Sequence, residues 1–139
     1  MPATVTSPST LDDIAHVLDS ANLIVHGFDG VVTRWTSGSE TLYGWSRDEA
    51  LGRVAHDLLE TAFPEPFADI VAHLKQEGVW TGELTQRRKD GTPVSVASRW
   101  VVAGAEAGSA PAIVETNVDV SDLRVMQAHL VAREAHLRS

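Results

Sequence analysis

From Thr10 the chain reads TLDDIAHVLDSA, with Leu11, Ile14, Ala15, Leu18 and Ala21 at spacings i, i+3, i+4, i+7 and i+10. That spacing puts one apolar stripe on a helix. Thr10 is its expected N-cap, and Asp12 and Asp13 fall in the first turn, where the helix dipole favours carboxylates. Residues 1–9, rich in Pro, Ser and Thr, are expected to be loose. The period then shortens. LIVHGF and VVTRW flank the turn dipeptide Asp29-Gly30 and predict a β-hairpin.

The next stretch, WTSGSETLYGWSRDEALGR (Trp35 to Arg53), is too broken for one helix and too polar for a strand. It reads as two short helices. Ser37 or Ser39 caps the first and Gly44 ends it; Ser46 caps the second, with Ser46 and Glu49 forming a capping box, and Gly52 ends it. A looser segment, HDLLETAFPEP, leads to a longer helix from about Pro66 to Glu77, closed by Gly78. Its inner stripe is Phe67, Ile70, Val71 and Leu74.

The second half alternates with period two. VWTGELTQRR and PVSVASRWVV are joined by KDGT, a hairpin signal, and AGAEAGSA is a small-residue loop before a third strand, PAIVETNVDV. A last helix has Ser121 or Asp122 as its expected cap, with Leu123, Met126, Leu130, Arg133 and Leu137 spaced 3, 4, 3, 4 as in a heptad seam. Two strands, short helices, then three strands predict an α+β fold: a five-stranded antiparallel sheet, short helices over one face, and flanking helices at both ends. The divisions are residues 1–9, a flanking helix over 10–21, the domain over 22–120 and an exit helix over 121–139.

Composition narrows the function. The 139 residues include no cysteine, which excludes thiolate metal sites, thiol nucleophiles and photochemistry that adds a cysteine to a chromophore. The net charge of −8 opposes sequence-independent nucleic-acid binding, and Arg87–Lys89 reads as a solvated hairpin tip. No run approaches the ~20 apolar residues that cross a bilayer. No HExxH, GxSxG or phosphate-loop motif is present. His73 is the histidine of the longer helix, and it points ~110° away from that helix's apolar stripe.

The motifs W-x5-E-x-LYGWS-x-DEALGR, W-x-GEL-x2-RRKDGTPV and ETNVDVSDLR, in this order, resemble the PAS sensory domain family over roughly Thr10 to Arg124. Thr36 departs from the asparagine that the family often has after the first aromatic. The tail REAHLRS resembles the linker before the haem-binding PAS domain of FixL-type oxygen-sensing histidine kinases. The resemblance implies a PAS fold and a module with no catalysis of its own, in a multidomain protein such as a sensor histidine kinase. A short cover with glycine hinges suits a pocket whose filling shifts the sheet and the exit helix. No cofactor is expected. The alternative is a ligand-binding sensor holding a small molecule, haem or flavin, with His26, Trp35, Trp80, Trp100 and Asn117 as pocket candidates. Asp119 and Ser121, in the family's strand-to-exit step, are signal-relay candidates. The expected partners are a second copy, through Leu11, Ile14, Leu18, Leu123, Met126, Leu130 and Leu137, and neighbouring domains of the same chain. Nucleic acid and membrane are not expected partners, and the expected location is the cytoplasm.

Overall fold

The computed structural model describes residues 7–104 and 110–138. The elements run α1 (Ser7–Ser20), β1 (Leu23–His26), β2 (Val32–Trp35), α2 (Ser37–Tyr43), α3 (Arg47–Ala50), α4 (Ala55–Leu58), α5 (Phe67–Glu77), β3 (Val79–Arg87), β4 (Pro93–Ala103), β5 (Ala112–Asp119) and α6 (Ser121–Arg138). The strands form one antiparallel sheet in the order β2-β1-β5-β4-β3. The expected sheet and the short helices are therefore present. Most of the small-residue loop, at 105–109, lies outside the described residues, as do residues 1–6.

Alternation builds the core. Ile24 and His26 on β1, Ile113, Glu115 and Asn117 on β5, Val94, Val96, Ser98 and Trp100 on β4, and Trp80, Leu84 and Gln86 on β3 are all buried. They share the inner face, which α2 to α5 cover with Tyr43, Ala50, Leu58, Ile70 and Leu74. Burying each large apolar side chain stabilises the fold by roughly 1.5–3 kcal/mol.

Several local expectations shift. The first helix begins at Ser7, so Thr10 is not its cap, and Asp12 and Asp13 lie beyond the first turn. The cap of α2 is Thr36, not Ser37 or Ser39. The Thr36 hydroxyl accepts from the Ser39 and Leu23 amides, each at 3.2 Å, and contacts the Ala21 carbonyl at 2.6 Å. One donor and two acceptor sites are then all in use. The Thr36 departure thus joins the end of α1, the start of β1 and the start of α2. Gly44 ends α2 at φ 83°, and the Ser46–Glu49 capping box is complete. A single helical turn, α4, occupies part of the segment expected to be loose.

Candidate functional site

The sheet's inner face carries a buried polar chain. His26 sits where the β1–β2 register shifts, and it lies diagonally across from Glu115, since Ile24 pairs with Glu115 and His26 with Ile113. Diagonal neighbours are within reach of long side chains. His26 Nε2 is 2.9 Å from Glu115 Oε1, and Nδ1 is 2.9 Å from the Gly27 carbonyl oxygen. Asn117 Nδ2 donates to Glu115 Oε2 at 3.0 Å. A second chain runs beside it: Tyr43 Oη donates to Gln86 Oε1 at 2.6 Å, and Gln86 Nε2 donates to Thr61 Oγ1 at 3.4 Å. Burial, the first cause, pushes the Tyr43 hydroxyl well above its ordinary value, with the Glu115 charge adding to it. Burial acts to lower His26, but the Glu115 hydrogen bond and charge and the Gly27 carbonyl outweigh it, and the net direction is upward.

Aromatic rings close the other end. Trp100 packs edge-on against His26 at 5.0 Å and against Trp80 at 5.6 Å, while Phe63 and Phe67 stand over it. Trp100 Nε1 donates to Ser98 Oγ at 2.9 Å. Between the two groups remains a cavity of about 10 Å3, lined by residues that include His26, His56, Thr61, Gln86 and Glu115. Asn117 Oδ1 is buried without a hydrogen-bond partner.

Of the pocket candidates, His26, Trp100 and Asn117 meet at this centre, and Trp80 packs on Trp100 at its rim. Trp35 lies apart: its ring packs on Tyr43, and its Nε1 donates to the Trp45 carbonyl at 2.9 Å. His73 is exposed. Glu115, Gln86, Tyr43 and Thr61 were not singled out from the sequence. The alternation Ile113, Glu115, Asn117 was the available signal for the first of them.

The relay candidates stand at the sheet's exit. Asp119 Oδ1 accepts from the Ser121 amide at 2.9 Å, and Ser121 Oγ accepts from the Ser95 amide at 2.9 Å. Ser121 is the first residue of α6, so its hydroxyl ties the helix to β4 rather than capping it. Arg88 is not merely a solvated tip. It donates to the Leu42 carbonyl at 3.0 Å, and its guanidinium lies 3.5 Å from Asp119 Oδ2.

The flanking helices keep their apolar residues at the surface. Ile14 and Leu18 on α1, and Leu123, Met126 and Leu130 on α6, are about half exposed or more. The side chains of Leu11 and Leu137 lie outside the described residues. Beside α1, on the sheet's outer face, is a hollow of about 720 Å3, lined in part by Leu18, Leu23, Val25, Leu51 and Val114. Val25 and Val114 adjoin His26 and Glu115 in the chain, so the hollow and the buried polar chain lie on opposite faces of the same two strands. Among the described residues no His, Asp and Glu side chains form a metal-binding cluster, and no helix is long and apolar enough to cross a membrane.

The sheet order, the helical cover and the exit step meet in one known architecture, and a PAS-fold family model matches residues 18–125. The chain belongs to the PAS family. A PAS domain from Colwellia psychrerythraea is 27% identical, with 81% of this chain and 98% of that one covered and a TM-score of 0.67. The blue-light photoreceptor Aureochrome1 LOV domain in its dark state is 21% identical, with coverages of 100% and 99% and a TM-score of 0.62. A PAS domain from a two-component sensor histidine kinase is 12% identical, with coverages of 82% and 99% and a TM-score of 0.60. A comparison with curated proteins finds no match. The protein is thus a PAS signalling domain.

Proposed function

We propose that this PAS domain is a non-catalytic relay and dimerisation module of a multidomain cytoplasmic sensor, a histidine kinase of the FixL type, and that it passes a shift of its sheet into α6. The observation that carries the relay reading is the closed interior. About 10 Å3 remains, roughly the space of one water. A pocket for a drug-sized ligand holds ~300–1,000 Å3. The interior as it stands does not fit haem or flavin, because Phe63, Phe67, Trp80 and Trp100 fill it. Neither nitrogen of His26 is open to an iron, since both face oxygen acceptors. The tail REAHLRS supports the kinase assignment by resemblance.

One observation favours the second reading, a ligand-binding sensor. Asn117 Oδ1 is a buried acceptor with no partner, which a ligand's donor group would satisfy. Native mass spectrometry of the purified chain, followed by titration with haemin and with flavin mononucleotide, separates the two. The relay reading expects the mass of the polypeptide alone and no stoichiometric Soret or flavin spectrum. A one-to-one adduct that survives desalting and is lost on substitution of Asn117→Ala establishes the ligand reading instead.

A further inference from the structure

The contacts of His26 fix where its protons are. A carbonyl oxygen only accepts, so the 2.9 Å contact with Gly27 requires a proton on Nδ1. Glu115 Oε1 stands 2.9 Å from Nε2, and its other oxygen already accepts from Asn117. One further proton must therefore lie between Nε2 and Oε1. Despite burial, the hydrogen bond and charge of Glu115 raise His26 above its ordinary value, which puts that proton on the ring. The pair is then an imidazolium and a carboxylate, each about 2% exposed.

Other groups face the pair from every packed element. The β1–β2 loop brings Asp29, whose charge favours the imidazolium. The α2 helix brings Tyr43, whose raised pKa keeps it neutral. The α4 helix brings His56 to the shared cavity, and β3 brings Gln86. From α5 the inward residues are Phe67, Ile70 and Leu74, none of them titratable. No lysine or arginine is among these groups.

We propose that His26 and Glu115 form a proton-operated latch between β1 and β5, closed while the ring is an imidazolium and opened when that proton passes to water. Loss of the proton leaves a lone pair on Nε2 facing a carboxylate oxygen, and it leaves a buried anion held by one amide donor. An uncompensated buried charge is strongly unfavourable and draws in water. The adjoining cavity, with Thr61, Gln86 and His56 on its wall, is where water has least far to go. Glu115 is on β5, four residues before Asp119, so the disturbance lies on the strand that enters α6.

The sign follows from the direction of the shift. His26 is raised above its ordinary 6.5, so the latch is fully formed below that pH and is lost as pH rises through the higher folded-state value. The latch extends the relay reading by giving it an input, and its readouts do not depend on whether the chain dimerises.

Long-range 1H–15N spectra of the 139-residue chain, from about pH 6 to about pH 10, report each ring nitrogen of His26. Both nitrogens should be protonated at neutral pH. The midpoint of deprotonation should lie above 6.5, and the amides of Glu115, Asp119 and Ser121 should shift and exchange faster at the same midpoint. The Glu115→Gln variant should carry a neutral His26 at neutral pH and lack the coupled amide step. His56→Gln should keep both. A singly protonated His26 at neutral pH overturns the proposal. So does a ring titration to which the Asp119 and Ser121 amides are blind, and so does an amide step that survives Glu115→Gln or disappears in His56→Gln. If Glu115→Gln fails to fold, the wild-type and His56→Gln titrations decide the matter.

Discussion

At the scale of single residues, Gly38 is held by proximity rather than by its backbone angle. A Cβ built there meets the Ala21 and Ser20 carbonyl oxygens at 2.3 and 2.4 Å. Both are backbone atoms at the end of α1, next to the Thr36 hydroxyl hub, so neither moves alone. Gly38→Ala should lower stability by about 2 kcal/mol or more in urea melts, in the range of an overpacked core. An unchanged midpoint would mean that α1 does not dock there in solution. Glu49 gives a second check, at acid pH. Its hydrogen bond from Lys89 comes first among the causes, with the Ser46 amide next, and together they hold the carboxyl down to about 2. A lowered carboxyl contributes stability above its unfolded value near 4.5, and that contribution is lost as pH falls through about 2. Wild-type melting temperatures should therefore drop more between pH 5 and pH 2 than those of Glu49→Gln, a difference read by scanning both at about those two pH values. The two sites also differ in how readable they are. The Ser46–Glu49 box spans four positions and is complete in the local sequence. Gly38 takes its meaning from a helix end that only the folded chain brings over it. Glu115 is similar: alternation puts it inward, but an inward carboxylate makes sense only with His26, 89 positions away.

Among the elements, periodicity located the five strands and the long helices, because each buries a face whose period is visible in the chain. The single turn α4 was not legible, since four residues are too few to show a period. The start of α1 was misplaced for a related reason: Thr10 and the aspartates make a plausible cap, but the helix runs back to Ser7. At the hairpin tip of β3 and β4, Arg87 and Lys89 are exposed, as the charge of the segment implies. Arg88 is the exception and joins the end of α2 to the exit step, through the Leu42 carbonyl on one side and Asp119 on the other. The tip is fixed further by Lys89, whose amide donates to the Tyr43 carbonyl at 2.8 Å. The cover and the root of α6 thus share one side chain. Arg88→Gln should cost about 1 kcal/mol, the scale of a partly exposed charged contact. Hydrogen exchange should also speed up at the Ser121 and Arg124 amides, while those of β3 stay protected. Uniformly faster exchange across the sheet would assign Arg88 to general stability and remove it from the link.

For the whole molecule, the question is what covers the apolar surface of α1 and α6. The docking of α1 onto its own domain is polar: Asp19 accepts from Ser37 and pairs with Arg47 at 3.1 Å. Its apolar residues Ile14, Val17 and Leu18 are half exposed or more, and Leu18 lines the 720 Å3 hollow. The exit helix is a weaker organiser than its 3, 4 spacing implies. Val125 lies ~200° around the helix from Leu123 and is exposed as well, so the apolar residues are not on one side. A helix of 18 residues with a scattered face is marginal as a coiled coil alone. If a second copy supplies the cover in a parallel dimer, α1 and the outer sheet face should carry more of the association than α6. Burying one leucine stabilises by roughly 1.5–3 kcal/mol, and ~1.4 kcal/mol is tenfold in Kd. Leu18→Glu should therefore weaken the dimer about 10- to 100-fold, and Leu130→Glu by less. Sedimentation equilibrium at micromolar concentration reads both. A monomeric wild-type chain would end the dimer reading, and a larger effect at Leu130 than at Leu18 would move the interface to the exit helices. The order matters for signalling. A dimer held at α1 leaves the paired exit helices free to change register if the sheet shifts, whereas one held at α6 would clamp the segment through which the proposed relay passes.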